Sequence, residues 1–152
     1  MAVLPMPQTA SERRIPLRLL AYWEKLRKER LMPAENDVNP DDIGDLWNSC
    51  FIIPVKDLHP AHYRYSYIGQ DIVKAYGGDL PEMDADAPVK PQPGMLDGYR
   101  TVMQTCKPLI ENGEFHNRQD QMIRYRQCLL PLGEGEDVQA ILGALHFRTF
   151  PA

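Results

Sequence analysis

The sequence predicts an α+β fold: a mainly antiparallel sheet of five strands, flanked by helices, with an amphipathic helix at its start. Three observations carry this prediction. An N-terminal stretch repeats apolar residues at helical spacing, two strand patterns precede a helical crossover, and three strand-like segments joined by turn signals close the chain. The 152 residues fit one domain, and 43% hydrophobic with 25% charged residues is the make-up of a chain that buries a core.

The elements follow in order. Residues 1–15 are polar and proline-containing and are expected to be flexible, leaving 16–150 as a single domain. From Pro16, PLRLLAYWEKLRKERL sets Leu19, Tyr22, Trp23, Leu26 and Arg30 at spacings of three and four, one face of a helix. Pro16 suits a first turn, the basic residues suit the last turns, and Pro33 stops the helix. Asn39 caps a second, short helix with Pro40 first and Asp41 and Asp42 in its opening turn, ending near Trp47. CFIIPV (50–55) is a compact β-branched run and predicts a strand.

In YRYSYIG the alternation places Tyr63, Tyr65 and Tyr67 on one face and Arg64, Ser66 and Ile68 on the other. Gly69 then breaks the strand where the chain must turn tightly into a helix, QDIVKAYGG, with Ile72, Val73 and Tyr76 on one side. Residues 78–94 hold prolines and acids and read as an irregular surface excursion. MLDGYRTVMQTCK is helical, with Leu96, Tyr99, Val102, Met103 and Cys106 on one stripe, and Pro108 ends it. The closing strands are PLIENGEFHN, MIRYRQCLLPLG and VQAILGALHFRTF. Asn112-Gly113 predicts a split or bulge in the first, and GEGED (133–137) a hairpin between the last two.

Charge and composition exclude several function classes. With 17 basic against 21 acidic residues, net −4, the chain lacks the basic excess of a general nucleic-acid binder. No apolar run approaches the ~20 residues that span a bilayer, and the N-terminus has no secretory signal pattern. Cys50, Cys106 and Cys128 are odd in number and widely spaced among apolar neighbours. They read as buried reduced thiols of a cytoplasmic protein rather than a disulfide framework or a zinc site.

Motifs of catalysis are missing: there is no G-x-S-x-G elbow and no G-x-x-x-x-G-K phosphate loop, so a non-enzymatic role is predicted. His59 and His62 form H-x-x-H near Asp57, but a proline-containing loop favours solvated histidines, and no metal site is predicted. One strand face carries Met122, Arg124, Arg126 and Cys128; the other carries Ile123, Tyr125, Gln127 and Leu129. Two arginines on a strand face can fork onto a carboxylate or phosphate. They can equally be solvated or paired with an acid such as Glu114. His146 and Arg148, on one face of the last strand, are second candidates for the same role.

The element order, the opening helix LLAYWEKLRKERLMPAEND, the segment NPDDI, the run YSYIGQDIVKAYGG and the closing CLLPLG and VQAILGAL resemble, in that order, the PAS-domain proteins found as small stand-alone chains in alphaproteobacteria. The resemblance covers roughly residues 17–148. It implies a PAS-like sheet whose inner face and small helices enclose a cavity, with Tyr65, Tyr76, Tyr99 and Met103 as ligand-lining residues beside Arg124 and Arg126. It also implies dimerisation through the N-terminal helix, by way of Leu19, Tyr22, Trp23 and Leu26. Haem would want a histidine on the helix flanking the cavity, where the sequence offers only Met103 and Cys106. A covalent flavin would want an asparagine-cysteine-arginine motif, which the sequence lacks. The expected function is a sensory or signalling module that binds a small molecule, a protein partner, or both. The alternative is a ligand-free adaptor with a self-filled core. A small enzyme would need a strongly shifted acid or base that the sequence does not nominate.

Overall fold

In the computed structural model, residues 10–58, 64–76, 95–117 and 119–150 are described. Helix α1 (Ala10–Arg27) is followed by α2 (Pro40–Ile43), a 3-10 segment (Gly44–Ser49) and strand β1 (Cys50–Pro54). Next come β2 (Tyr67–Ile68), α3 (Gln70–Tyr76), α4 (Met95–Thr105), β3 (Leu109–His116), β4 (Met122–Glu134) and β5 (Asp137–Phe150). The five strands form one sheet, ordered β2-β1-β5-β4-β3, with every neighbouring pair antiparallel. This is the predicted α+β architecture. The 78–94 excursion, the glycine exit at 77–78, Tyr63, His59 and His62 lie outside the described residues.

Several local expectations need correction. Helix α1 begins at Ala10, so residues 10–15 are helical and Pro16 lies inside the helix. The helix ends where Lys28 adopts a positive φ of 56°, so Arg30 is off the apolar stripe; it bridges Asp37 at 2.9 Å instead. The tyrosine alternation also breaks. Ladder geometry is confined to Tyr67–Ile68 and the chain bends at Ser66. Tyr65 therefore joins one core while Tyr67 packs against the other. Asn112-Gly113 makes no turn; β3 runs straight through it. Gly113 is needed because the Tyr125 ring lies across it, where a Cβ would collide with that ring.

The sheet separates two cores. On one face α3 and α4 bring Ile72, Val73, Tyr99 and Val102 against Phe51, Ile53, Ile123, Tyr125, Leu129 and Leu145. On the other, Leu19 and Trp23 of α1, with Ile43 and Leu46, cover Cys128, Leu130, Leu132, Ala140, Leu142 and Ala144. The Trp23 indole donates from Nε1 to the Pro131 carbonyl at 2.8 Å. Asn39 caps α2 as predicted, its side chain accepting from the Asp41 N–H at 3.1 Å. Tyr22 ties α1 to this cap, its hydroxyl accepting from the Asn39 N–H at 2.9 Å. Gly69 makes the β2–α3 corner: a Cβ there would run into the Asn48 carbonyl and, at 2.9 Å, the Trp47 oxygen. Among the described residues, no helix is long and apolar enough to cross a membrane.

Candidate functional site

Two regions bear on function, one on each face of the sheet. On the α4 face, aromatic rings pack on one another. Phe51 meets Tyr65 edge-on at 5.7 Å and Tyr99 at 6.4 Å, and Phe115 meets Tyr125 at 5.9 Å. Tyr99 is 1% exposed. Of the residues expected to line a cavity, Tyr65 and Tyr99 belong to this core, and Met103 sits half-buried between the two cores. Tyr76 ends α3.

A polar pair that the sequence reading did not nominate also lies here. Gln127 is buried and donates from Nε2 to Glu111 Oε1 at 2.7 Å. Gly98 of α4 leaves space for that carboxylate, since a Cβ at 98 would collide with it. The signal was available: Gln127 is the one amide among Ile123, Tyr125 and Leu129 on an apolar strand face.

Arg124 and Arg126 are on the opposite face, so the expected ligand residues do not make one site; the sheet divides them. The α1 face of β4 carries Leu132, Leu130 and Cys128 under the helix and then changes character to Arg126 and Arg124. Strands of 13 and 14 residues run over about 45 Å at ~3.3 Å per residue, whereas one helix is only ~10–12 Å across. Beyond the part covered by α1, the face is free to be polar.

A bulge decides which residues meet there. At the hairpin Gly133 pairs with Val138, yet Leu132 pairs with Ala140, so Gln139 is an extra residue in β5. Gly133 fits the bulge because a Cβ there would strike the Asp137 carbonyl. A one-residue shift in a period of two exchanges the faces. The result is that Arg124 stands opposite Arg148 and Arg126 opposite His146, while β3 adds Glu114 beside Arg124 and Asn112 beside Arg126. All four anion-binding candidates from the sequence, three arginines and a histidine, are thereby brought to one place.

They line an open pocket of about 390 Å³, together with Phe147 and Phe150. Arg124 and Arg148 are exposed at its rim, and Arg126 and His146 are half-buried. Three arginines and a histidine in the lining face one carboxylate, Glu114, whose Oε2 is 3.5 Å from Arg124 Nε. The Arg124 guanidinium also lies 5.1 Å from the Phe150 ring centre. Arg126, His146 and Arg148 each have further contacts within the chain. A guanidinium has five donors, so it can keep such contacts and still engage a ligand.

Comparison with known proteins places this geometry. A PAS-domain family model matches residues 12–146. The chain belongs to the PAS-domain family. No protein of curated function matches its sequence. Among solved structures, the LOV domain of the Erythrobacter litoralis EL346 blue-light activated histidine kinase is similar at 11% identity and a TM-score of 0.51, covering 66% of this chain and 95% of that one. The dark structure of the blue-light photoreceptor Aureochrome1 LOV aligns at 9% identity and a TM-score of 0.51, over 95% of this chain and 87% of that one. The Rhodobacter sphaeroides LOV protein aligns at 10% identity and a TM-score of 0.49, over 64% of this chain. This PAS chain spans 58% of that protein's length. At these identities the likeness is one of fold.

A thiol–flavin adduct does not fit the residues of this PAS domain. Cys50 and Cys128 belong to the α1-face core, with the sheet between them and Tyr99, and the Cys106 thiol donates to the Glu136 carbonyl at the β4–β5 hairpin. Burial pushes the Cys50 thiol up to about 12, helped by Cys128, and burial likewise pushes Cys128 up to about 12. Thiols held protonated in this way are poor nucleophiles. The dimer stripe is also corrected. Leu19 and Trp23 are buried on their own sheet, so they present no surface to a second copy; Tyr22 and Leu26 remain half-buried.

Proposed function

We propose that this PAS protein is a cytoplasmic, non-catalytic signalling module that recognises an anionic group at the pocket on the α1 face of its sheet. The observation that carries the reading is the meeting of Arg124, Arg126, His146 and Arg148 from two adjacent strands around one opening. Clustered guanidinium groups bind oxyanions through charge-assisted, forked hydrogen bonds. The aromatic packing of Phe51, Tyr65, Tyr99 and Tyr125 supports a core filled largely by the chain itself, which moves recognition to the outer face. The site offers charge and hydrogen bonds rather than a nucleophile, and this favours binding over catalysis. Output would pass by contact with a signalling protein or a second copy, and a ligand can drive it only by binding two states unequally.

Thermal unfolding with added inorganic phosphate tests this reading. Phosphate also stabilises proteins by exclusion from their surface, so the control is the Arg124→Gln/Arg126→Gln variant at matched ionic strength. The wild type should gain Tm with phosphate by a margin that the variant lacks. Equal gains in both would overturn the proposal.

A further inference from the structure

We infer that the anion recognised at this pocket is the phosphate monoester of a small organic molecule; the inference rests on the anion-site reading above and names its chemistry. Side chains directly opposite on adjacent strands stand ~4.5–5.5 Å apart at Cβ, and alternate residues along a strand ~7 Å apart. The pairs Arg124–Arg148 and Arg126–His146 therefore form a rectangle of three guanidinium groups and an imidazole with about those sides. A single guanidinium fork already occupies one acceptor position on each oxygen of a carboxylate. Three guanidinium groups and an imidazole around one centre carry more donors than the roughly four acceptor positions of a carboxylate. They match a tetrahedral group with three terminal oxygens and a charge of about −1.5 to −2.

Electrostatics points the same way. Like charges facing each other across strands repel, and Arg124 faces Arg148 directly. A dianion between them offsets that repulsion better than a monoanion. Glu114 acts against any anion and tempers the affinity, since it is the carboxylate of the lining and lies beside Arg124.

The space calls for more than a bare phosphate. A pocket of about 390 Å³ falls in the range of ~300–1,000 Å³ that holds small organic ligands. Phe150 supplies an apolar wall beside the guanidinium groups, while the Phe147 side chain packs against the α4-face core. Phe150, stacked near the Arg124 guanidinium, suits a flat or aromatic body joined to the phosphate through its ester oxygen.

Isothermal titration calorimetry on the whole protein at constant ionic strength tests this with phenyl phosphate, inorganic phosphate, benzoate and a phosphoserine peptide. Phenyl phosphate should bind more tightly than inorganic phosphate, and benzoate should be weaker by about tenfold or more, the scale of one charge-assisted hydrogen bond. Arg148→Gln should weaken phenyl phosphate by a similar factor, and Glu114→Gln should tighten it, with circular dichroism confirming that both variants fold. Equal affinities for benzoate and phenyl phosphate would overturn the phosphate assignment while leaving the anion site standing. A phosphopeptide at least about tenfold tighter than phenyl phosphate would overturn the small-molecule assignment in favour of a phosphorylated partner. No heat with any of the four would overturn the anion site itself.

Discussion

Replacing Trp23 with Phe tests whether α1 belongs to its own domain. The indole is 2% exposed, and its Nε1 donates to the Pro131 carbonyl at 2.8 Å. Phe keeps one ring and removes the donor. Leaving a buried carbonyl without its partner costs about 1–3 kcal/mol, and the volume lost in the α1-face core adds about 1 kcal/mol. The sum is about 2–4 kcal/mol, which for a domain near 150 residues lowers Tm by roughly 5–15 °C. Differential scanning calorimetry at two protein concentrations tenfold apart is the assay. The loss should be the same at both, because the ring is buried within one chain. A loss that shrinks at the higher concentration would mean that Trp23 is stabilised by a second copy, since linked association makes Tm concentration-dependent. A change below about 1 °C would mean that the helix does not dock on the sheet.

Other consequences can be checked together. Gly69→Ala should destabilise by about 2 kcal/mol or more, because the new Cβ meets the backbone of Trp47 and Asn48 rather than a movable side chain; urea denaturation measures this, and a neutral result would refute the close β2–α3 corner. Gln127→Leu should cost about 1–3 kcal/mol by stripping Glu111 of its donor, and Gln127→Glu should cost more near neutral pH than at acid pH. Stability should also fall on the alkaline side. Cys50 and Cys128 stay protonated in the fold to about 12 from an ordinary 9.0, and burial lifts Tyr67 to about 12 from 10.0. The folded state thus holds protons that the unfolded chain releases, so their contribution is complete below pH 9 and is lost as pH rises towards 12. Urea midpoints at pH 8 and 10.5 should differ, and Cys50→Ala/Cys128→Ala should reduce the difference; equal midpoints at the two pH values would refute it.

What could be read from the sequence was whatever local chemistry dictates. Asn39-Pro40 fixes a helix start because cap and ring act within one turn, and Gly135-Glu136 closes the hairpin because Gly135 takes a φ of +57°. Spacing also put Arg124 with Arg126, and His146 with Arg148. Tertiary placement was not legible in the same way. Whether the two cationic pairs meet depends on the single extra residue at Gln139, since an unbulged register would set Arg124 against Phe147. Tyr65 and Tyr67 part company at a bend that alternation cannot show. Asn112-Gly113 carries the composition of a turn, yet Gly113 is there to admit the Tyr125 ring from the neighbouring strand. The Leu19–Trp23 stripe looks alike whether it covers its own sheet or another chain's, and only the packing tells them apart.

The central claim is that this PAS domain binds its anion on the α1 face of the sheet rather than in the α4-face core. Backbone amide mapping by NMR, titrating the intact protein with inorganic phosphate at constant ionic strength, tests it most directly. Shifts should gather on residues 112–114, 124–126 and 146–148, with Tyr65, Ile72, Tyr99 and Val102 unmoved. Shifts confined to those four residues, or none anywhere on the chain, would contradict it.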